Sequence, residues 1–158
     1  MLLNVGPIFE TEGAKLPFSY EFPSEEPLIP GNIALSGSVF NKTGVVRLEA
    51  SAEFTVETAC ARCGAPIRRD ERLPLTHLLL RHARNEDQDL YIVLDSSTLD
   101  LDALASEDVI LSLPQRYLCR EDCKGLCPMC GADLNLGACG CEKPKDPRLE
   151  ALSRLLNG

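Results

Sequence analysis

The sequence predicts an α+β fold: a curved antiparallel β-sheet with a packing helix, then a C-terminal Cys-rich zinc module and a terminal helix. Three observations carry this prediction. Residues 47–57 alternate between polar and apolar side chains, the period of a strand with one buried face. Leu101–Leu113 places Leu101, Leu104, Ala105, Val109 and Leu113 near one helical face and runs into Pro114. Eight cysteines fall in pairs, six of them between Cys119 and Cys141.

Taken in order, Asn32–Phe40 reads as a strand and as the hairpin partner of Arg47–Glu57, with Asn41-Lys42-Thr43-Gly44 as the turn. The turn has a superficial likeness to a phosphate loop, but the second glycine is missing and both flanks read as strand. After Cys63 the chain returns as a strand over Ile67–Leu80. RHARNEDQD then reads as an exposed polar loop, and Leu90–Leu94 as a short apolar strand. Ser97 or Asp100 can cap the helix over Leu101–Leu113. Asp146 and Pro147 open a terminal helix whose apolar stripe is Leu149, Leu152, Leu155 and Leu156. The expected organisation is a β-rich domain over 1–118, holding the first cysteine pair and the packing helix, and a Cys-rich module with its helix over 119–158. The two are expected to form one compact unit.

The net charge of −8 is unevenly spread. Residues 60–84 carry six arginines against Asp70 and Glu71, while acidic side chains dominate before and after. An acidic chain argues against indiscriminate nucleic-acid binding, though a basic segment can still meet a phosphate locally. The opening MLLNVGPIFETEG has no basic region ahead of an apolar run, so neither a signal peptide nor a membrane anchor is expected. A reducing, cytoplasmic setting follows, where clustered cysteines more often bind metal than form disulfides.

The cysteines repeat a short pattern. Cys60-Ala-Arg-Cys63-Gly64-Ala65 and Cys127-Pro-Met-Cys130-Gly131-Ala132 share CxxCGA, the form of a zinc knuckle. A two-residue spacer turns both sulfurs toward one ion, and the glycine supplies the positive φ that continues the turn. With Cys119, Cys123, Cys139 and Cys141, the eight thiols make two closed tetrahedral sites, hence two structural Zn2+ ions. The preferred grouping joins Cys127, Cys130, Cys139 and Cys141, leaving Cys60, Cys63, Cys119 and Cys123 to share the second ion. The longer closure costs only about 0.6 kcal/mol per doubling of loop length. The chief alternative is a local cluster of Cys119, Cys123, Cys127 and Cys130.

With four thiols per ion, no open coordination position is implied, and His77 and His82 read as surface or strand-end side chains. No GxSxG or HExxH is present. Asp95, Asp100, Asp102, Glu107 and Asp108 read as caps and a solvated helix face. The chain is therefore expected not to be an enzyme, and neither a small-molecule substrate nor a membrane partner is expected.

The stretches CARCG, DLDALASEDVILSLP, CKGLCPMCGADLN, the closing CGC and DPRLEALSRLL together resemble the YceD family of large ribosomal RNA subunit accumulation proteins. The resemblance runs from Cys60 to the C-terminus. It implies a cytoplasmic bacterial factor needed for normal levels of large-subunit (23S) ribosomal RNA, encoded beside a large-subunit ribosomal protein. The implied partner is that RNA or its precursor particle, met directly or through a ribosomal protein. Some family members lack the CKGLCPxCG portion and keep the earlier CxxC. On alternation across a strand, Arg68 and Arg72 should share a face; with Arg62, Arg81 and Arg84 they are the expected RNA-facing patch. Competing functions are a redox-sensitive zinc switch and a zinc-ribbon nucleic-acid-binding regulator.

Overall fold

Alternation in β4 (Val45–Ala59) sorts its side chains as the sequence predicts. Val46, Leu48, Ala52, Phe54 and Val56 are buried, while Arg47, Glu49, Glu53 and Glu57 face solvent. Its partner β3 (Asn32–Lys42) runs antiparallel, in register from Lys42↔Val45 to Ala34↔Glu53. The loop between them is two residues, Thr43 and Gly44, with φ of 53° and 82°, as a hairpin turn matched to strand twist requires. Buried Asn41 locks it: its Oδ1 accepts from the Gly44 N–H at 3.0 Å, and its Nδ2 donates to the Ile8 carbonyl at 2.9 Å. The segment that superficially resembles a phosphate loop is thus a hairpin turn.

The computed structural model of the chain describes residues 1–81, 91–94 and 96–141. The chain forms two compact units, Met1–Thr58 with Ile67–Gln115, and Ala59–Pro66 with Arg116–Gly158. In the first unit, β2 (Lys15–Pro23) pairs antiparallel with the free edge of β3, and Phe18 and Phe22 point into the core. On the other side of β4 lies β5 (Pro66–Leu80), and then β6 (Ile92–Val93). The sheet order is β2-β3-β4-β5-β6, open at both ends.

One expectation is corrected here: β6 runs parallel to β5, pairing Leu79 with Ile92 and Leu80 with Val93, so the sheet is mixed and not wholly antiparallel. A short continuous apolar run announces a buried strand but carries no information about its direction. A second, two-stranded sheet pairs β1 (Leu2–Asn4) with β7 (Thr98–Asp100), while α1 (Gly6–Glu10) follows β1.

The packing helix α2 spans Leu101–Ser112 and buries Leu101, Ala105 and Val109. Its cap is Asp100, whose Oδ1 accepts from the Asp102 and Ala103 N–H groups at 3.2 and 3.3 Å. The acidic residues expected to line a solvated face are partly engaged. Asp102 accepts from the Tyr20 hydroxyl at 2.7 Å, and Asp108 meets His77 Nε2 at 2.5 Å. His77 is therefore not a spare strand-end side chain: it ties β5 to α2. No helix among the described residues is long and apolar enough to cross a membrane. The expected terminal helix, His82, Arg84, Asp95 and all of the polar loop after Arg81 lie outside the described residues.

Candidate metal centres

Both CxxCGA segments fold into the same turn. In the first, the Gly64 N–H donates to the Cys60 carbonyl at 2.9 Å and the Cys60 N–H to the Ala65 carbonyl at 2.8 Å. In the second, Gly131 N–H to Cys127 carbonyl and Cys127 N–H to Ala132 carbonyl are both 2.8 Å. Gly64 and Gly131 take φ of 73° and 72°, the left-handed conformation that an L side chain resists. The sequence repeat is thus a structural repeat, and each copy presents its two sulfurs on one side.

The remaining cysteines complete two clusters in the first of the two groupings weighed above. Cys60, Cys63, Cys119 and Cys123 form one, and Cys127, Cys130, Cys139 and Cys141 the other. Within each, all four sulfurs lie within 4.8 Å of one another. In the first cluster, Cys60 and Cys123 sulfurs are 3.8 Å apart, and those of Cys63 and Cys119 3.6 Å. A tetrahedral ion with metal–sulfur bonds of about 2.3 Å sets its ligands about 3.8 Å apart, so the spacing suits one ion per cluster. All eight are free thiols. Cys60, Cys123 and Cys127 are buried, while Cys119, Cys130 and Cys141 are exposed.

The thiols are electrostatically uneven. Backbone N–H groups, that of Cys119 foremost, bring Cys60 down to about 6. Those of Cys130 and Met129 do the same for Cys127, also to about 6. In the other direction, desolvation and then the Cys123, Cys63 and Cys60 thiols push Cys119 up to about 12. The Cys130 thiol, followed by desolvation, pushes Cys141 up to about 12. Each cluster thus holds one thiol well below the ordinary cysteine range and another well above it. Four thiolates so close together need a cation, which makes the donor set a fit for a soft-tolerant divalent metal.

Groups outside the ligand set hold the clusters in shape. Arg62, in the spacer of the first knuckle, donates through Nη1 to the Cys123 carbonyl at 2.7 Å and to the Glu121 carbonyl at 3.4 Å. Gly125 passes so close beneath that a Cβ there would meet the Arg62 carbonyl at 2.8 Å. The Leu126 N–H donates to that same carbonyl. Asn135 is a further brace. Its Oδ1 accepts from the Lys124 N–H at 2.8 Å, and its Nδ2 donates to Asp133 at 2.7 Å and to the Cys123 sulfur at 3.5 Å. An N–H donor to a ligand sulfur steadies its thiolate form. Sequence reasoning misses Asn135 because a side-chain amide has no spacing rule.

The arginines proposed for RNA are placed as follows. Arg68 and Arg72 share one face of β5 with Asp70 between them, and that face meets β4 residues. Arg68 Nη1 lies 2.7 Å from Glu57 Oε1. Arg72 Nε donates to Ser51 Oγ at 2.9 Å and lies 3.5 Å from Glu53. Thr55 Oγ1 donates to Asp70 at 2.7 Å. Arg81 donates to the Gly6 carbonyl at 2.8 Å and stacks over Phe9, 4.9 Å from the ring centre.

The family model described as "Large ribosomal RNA subunit accumulation protein YceD" matches residues 48–156. Uncharacterised proteins of Mycobacterium bovis and Mycobacterium tuberculosis are 34% identical over 102 residues, covering 61% of this chain and 49% of theirs. The chain thus spans about half the length of the curated relatives it matches. No solved structure matches.

Proposed function

The chain belongs to the YceD family, and from that premise we propose that it is a non-enzymatic, zinc-stabilised factor in large ribosomal subunit biogenesis. It supports the accumulation or processing of large-subunit ribosomal RNA. The family name is the observation that carries this reading, because it specifies a process in which the RNA is the thing gained or lost. The site geometry supports the zinc part. Cysteine-only, four-sulfur clusters suit Zn2+, and four ligands leave no position for a reacting water.

Its zinc ions fix the shape of the turns that carry the eight cysteines, within residues 59–66 and 116–141, and take no part in chemistry. Its partner is the precursor large subunit, reached through RNA or through a ribosomal protein. The RNA contact is assigned to Arg62, Arg68 and Arg72, with Arg81 and Arg84. On β5 a phosphate must compete with Glu57 and Glu53, which makes binding selective for a site that fits both strands. Cytoplasmic residence follows from that role.

Deleting the gene and measuring both ribosomal RNAs tests the reading. Large-subunit RNA falls relative to small-subunit RNA if it is correct; an unchanged ratio in slow and fast growth rejects it. A second reading, zinc release on thiol oxidation, draws on the exposure of Cys119, Cys130 and Cys141. Reversible zinc loss under mild peroxide, accompanied by gain of a partner, would favour it.

A further inference from the structure

The first unit carries a groove that neither the thiol clusters nor the arginines use. It has a volume of about 620 Å³ and lies between α2 and the end of β2 with its following turn. Phe22, Ile33 and Val109 lie beneath it and are buried, and Ile110 stands in its wall with 49% of its surface exposed. Glu25 and Glu26 form the rim. Their turn is fixed: Ser24 N–H donates to the Gly31 carbonyl at 2.9 Å, Glu26 N–H to Ser24 Oγ at 3.1 Å, and Ile29 N–H to the Glu26 carbonyl at 2.9 Å. Asp102 also lines the groove but is already held by Tyr20 and the Met1 amine. Neither rim glutamate has an ion pair among the described residues.

Charge selects the occupant. The sequence of this unit has eight basic and eighteen acidic side chains, a net charge of −10, whereas the sequence of the cysteine-bearing unit has eight basic and six acidic, a net of +2. Beside Glu25 and Glu26 a phosphate backbone is repelled and a cationic polypeptide is drawn in, and the arginines assigned to RNA do not line this groove. An apolar trough with an acidic rim suits a helix that is apolar along one stripe and basic beside it.

We propose that this groove docks a basic amphipathic helix of a protein partner. The apolar stripe of the helix lies over Ile110 and the buried floor, and its lysines or arginines meet Glu25 and Glu26. This deepens the biogenesis reading by assigning a protein-docking face to the acidic unit, and it rests on that reading only for the setting in which such a partner is met.

The test uses the full-length zinc-loaded protein and three probes: a synthetic lysine/leucine helical peptide, its glutamate/leucine counterpart, and a single-stranded RNA oligonucleotide. Binding is read by fluorescence anisotropy at physiological salt. The lysine peptide should bind, the glutamate peptide should not, and Glu25→Lys/Glu26→Lys should weaken the lysine peptide by about tenfold or more. Ile110→Glu should weaken it as well. A control reversal off the groove, Glu12→Lys/Glu49→Lys, makes the same change in net charge and should cost less than about threefold. Equal losses from both reversals would show attraction to bulk charge and overturn the proposal, as would RNA competing for the same rim. If the peptide fails while gene deletion still lowers large-subunit RNA, the groove proposal falls and the biogenesis reading stands.

Discussion

Arg62 and Cys123 are joined by a 2.7 Å hydrogen bond from guanidinium to carbonyl, although they stand 61 positions apart in the chain. The bond links the spacer of the first knuckle to the backbone of a cysteine that completes the same cluster. It makes Arg62 part of the frame of that cluster, alongside its proposed contact with RNA.

Arg62→Ala should therefore loosen the first cluster and leave the second intact. A part-buried hydrogen bond of this kind is worth about 1 kcal/mol, so zinc at the first site should weaken about fivefold. Chelator competition that resolves the two ions checks this. Equal weakening of both sites, or of neither, contradicts the bracing role.

Purified protein should carry two zinc ions per chain, and a strong chelator should unfold the residues around them. Cys130→Ala should remove one ion and spare the cluster of Cys60, Cys63, Cys119 and Cys123. Gly131→Ala, which forces a left-handed backbone on alanine, should destabilise the second turn by about 1 kcal/mol while keeping its four ligands. Metal analysis with thermal melting reads all three; four disulfides and no zinc under reducing purification would refute the assignment.

An RNA contact should be tested without disturbing Arg62. Arg68→Glu/Arg72→Glu breaks two exposed ion pairs worth about 0.5 kcal/mol each and sets like charges across strands, so the sheet should survive with a modest loss. Association with precursor large subunits should drop, and its salt dependence should become shallower. Unchanged association at physiological salt assigns the contact elsewhere.

Asp102 provides a pH prediction. Desolvation raises its carboxyl, but hydrogen bonds from the Met1 amine and the Tyr20 hydroxyl outweigh that and hold it below its usual value of 3.8. A carboxyl depressed on folding contributes stability above its unfolded value and loses it as pH falls through the folded one. Asp102→Asn should thus lower the melting temperature at pH 7, and the gap to wild type should close below about pH 4. A gap that stays constant down to pH 3 would show that the charge of Asp102 is not what stabilises.

The sequence makes visible whatever has a period or a spacing. Alternation in Arg47–Glu57 identifies β4, Asp100 and Pro114 bracket α2, and CxxCGA specifies both knuckle turns. Short loop closure even favours the observed grouping of thiols. Relations between elements are less visible. The polar face of β4 and the arginines of β5 are plain in the sequence, but the pairing of Arg68 with Glu57 and Arg72 with Glu53 depends on strand register. The direction of β6 and the bond from Asn135 to the Cys123 sulfur are tertiary facts with no local signal.

The two clusters also differ in when they can exist. Cys127 and Cys141 emerge from a ribosome almost together, whereas Cys60 and Cys63 precede Cys119 by more than fifty residues. At about 5–20 residues per second, that interval is roughly 3–11 s. During it the first knuckle is a half-formed centre whose two sulfurs are available to cellular thiols and stray metals. Its later pair arrives just before the whole second cluster, so both centres are completed within the same short window.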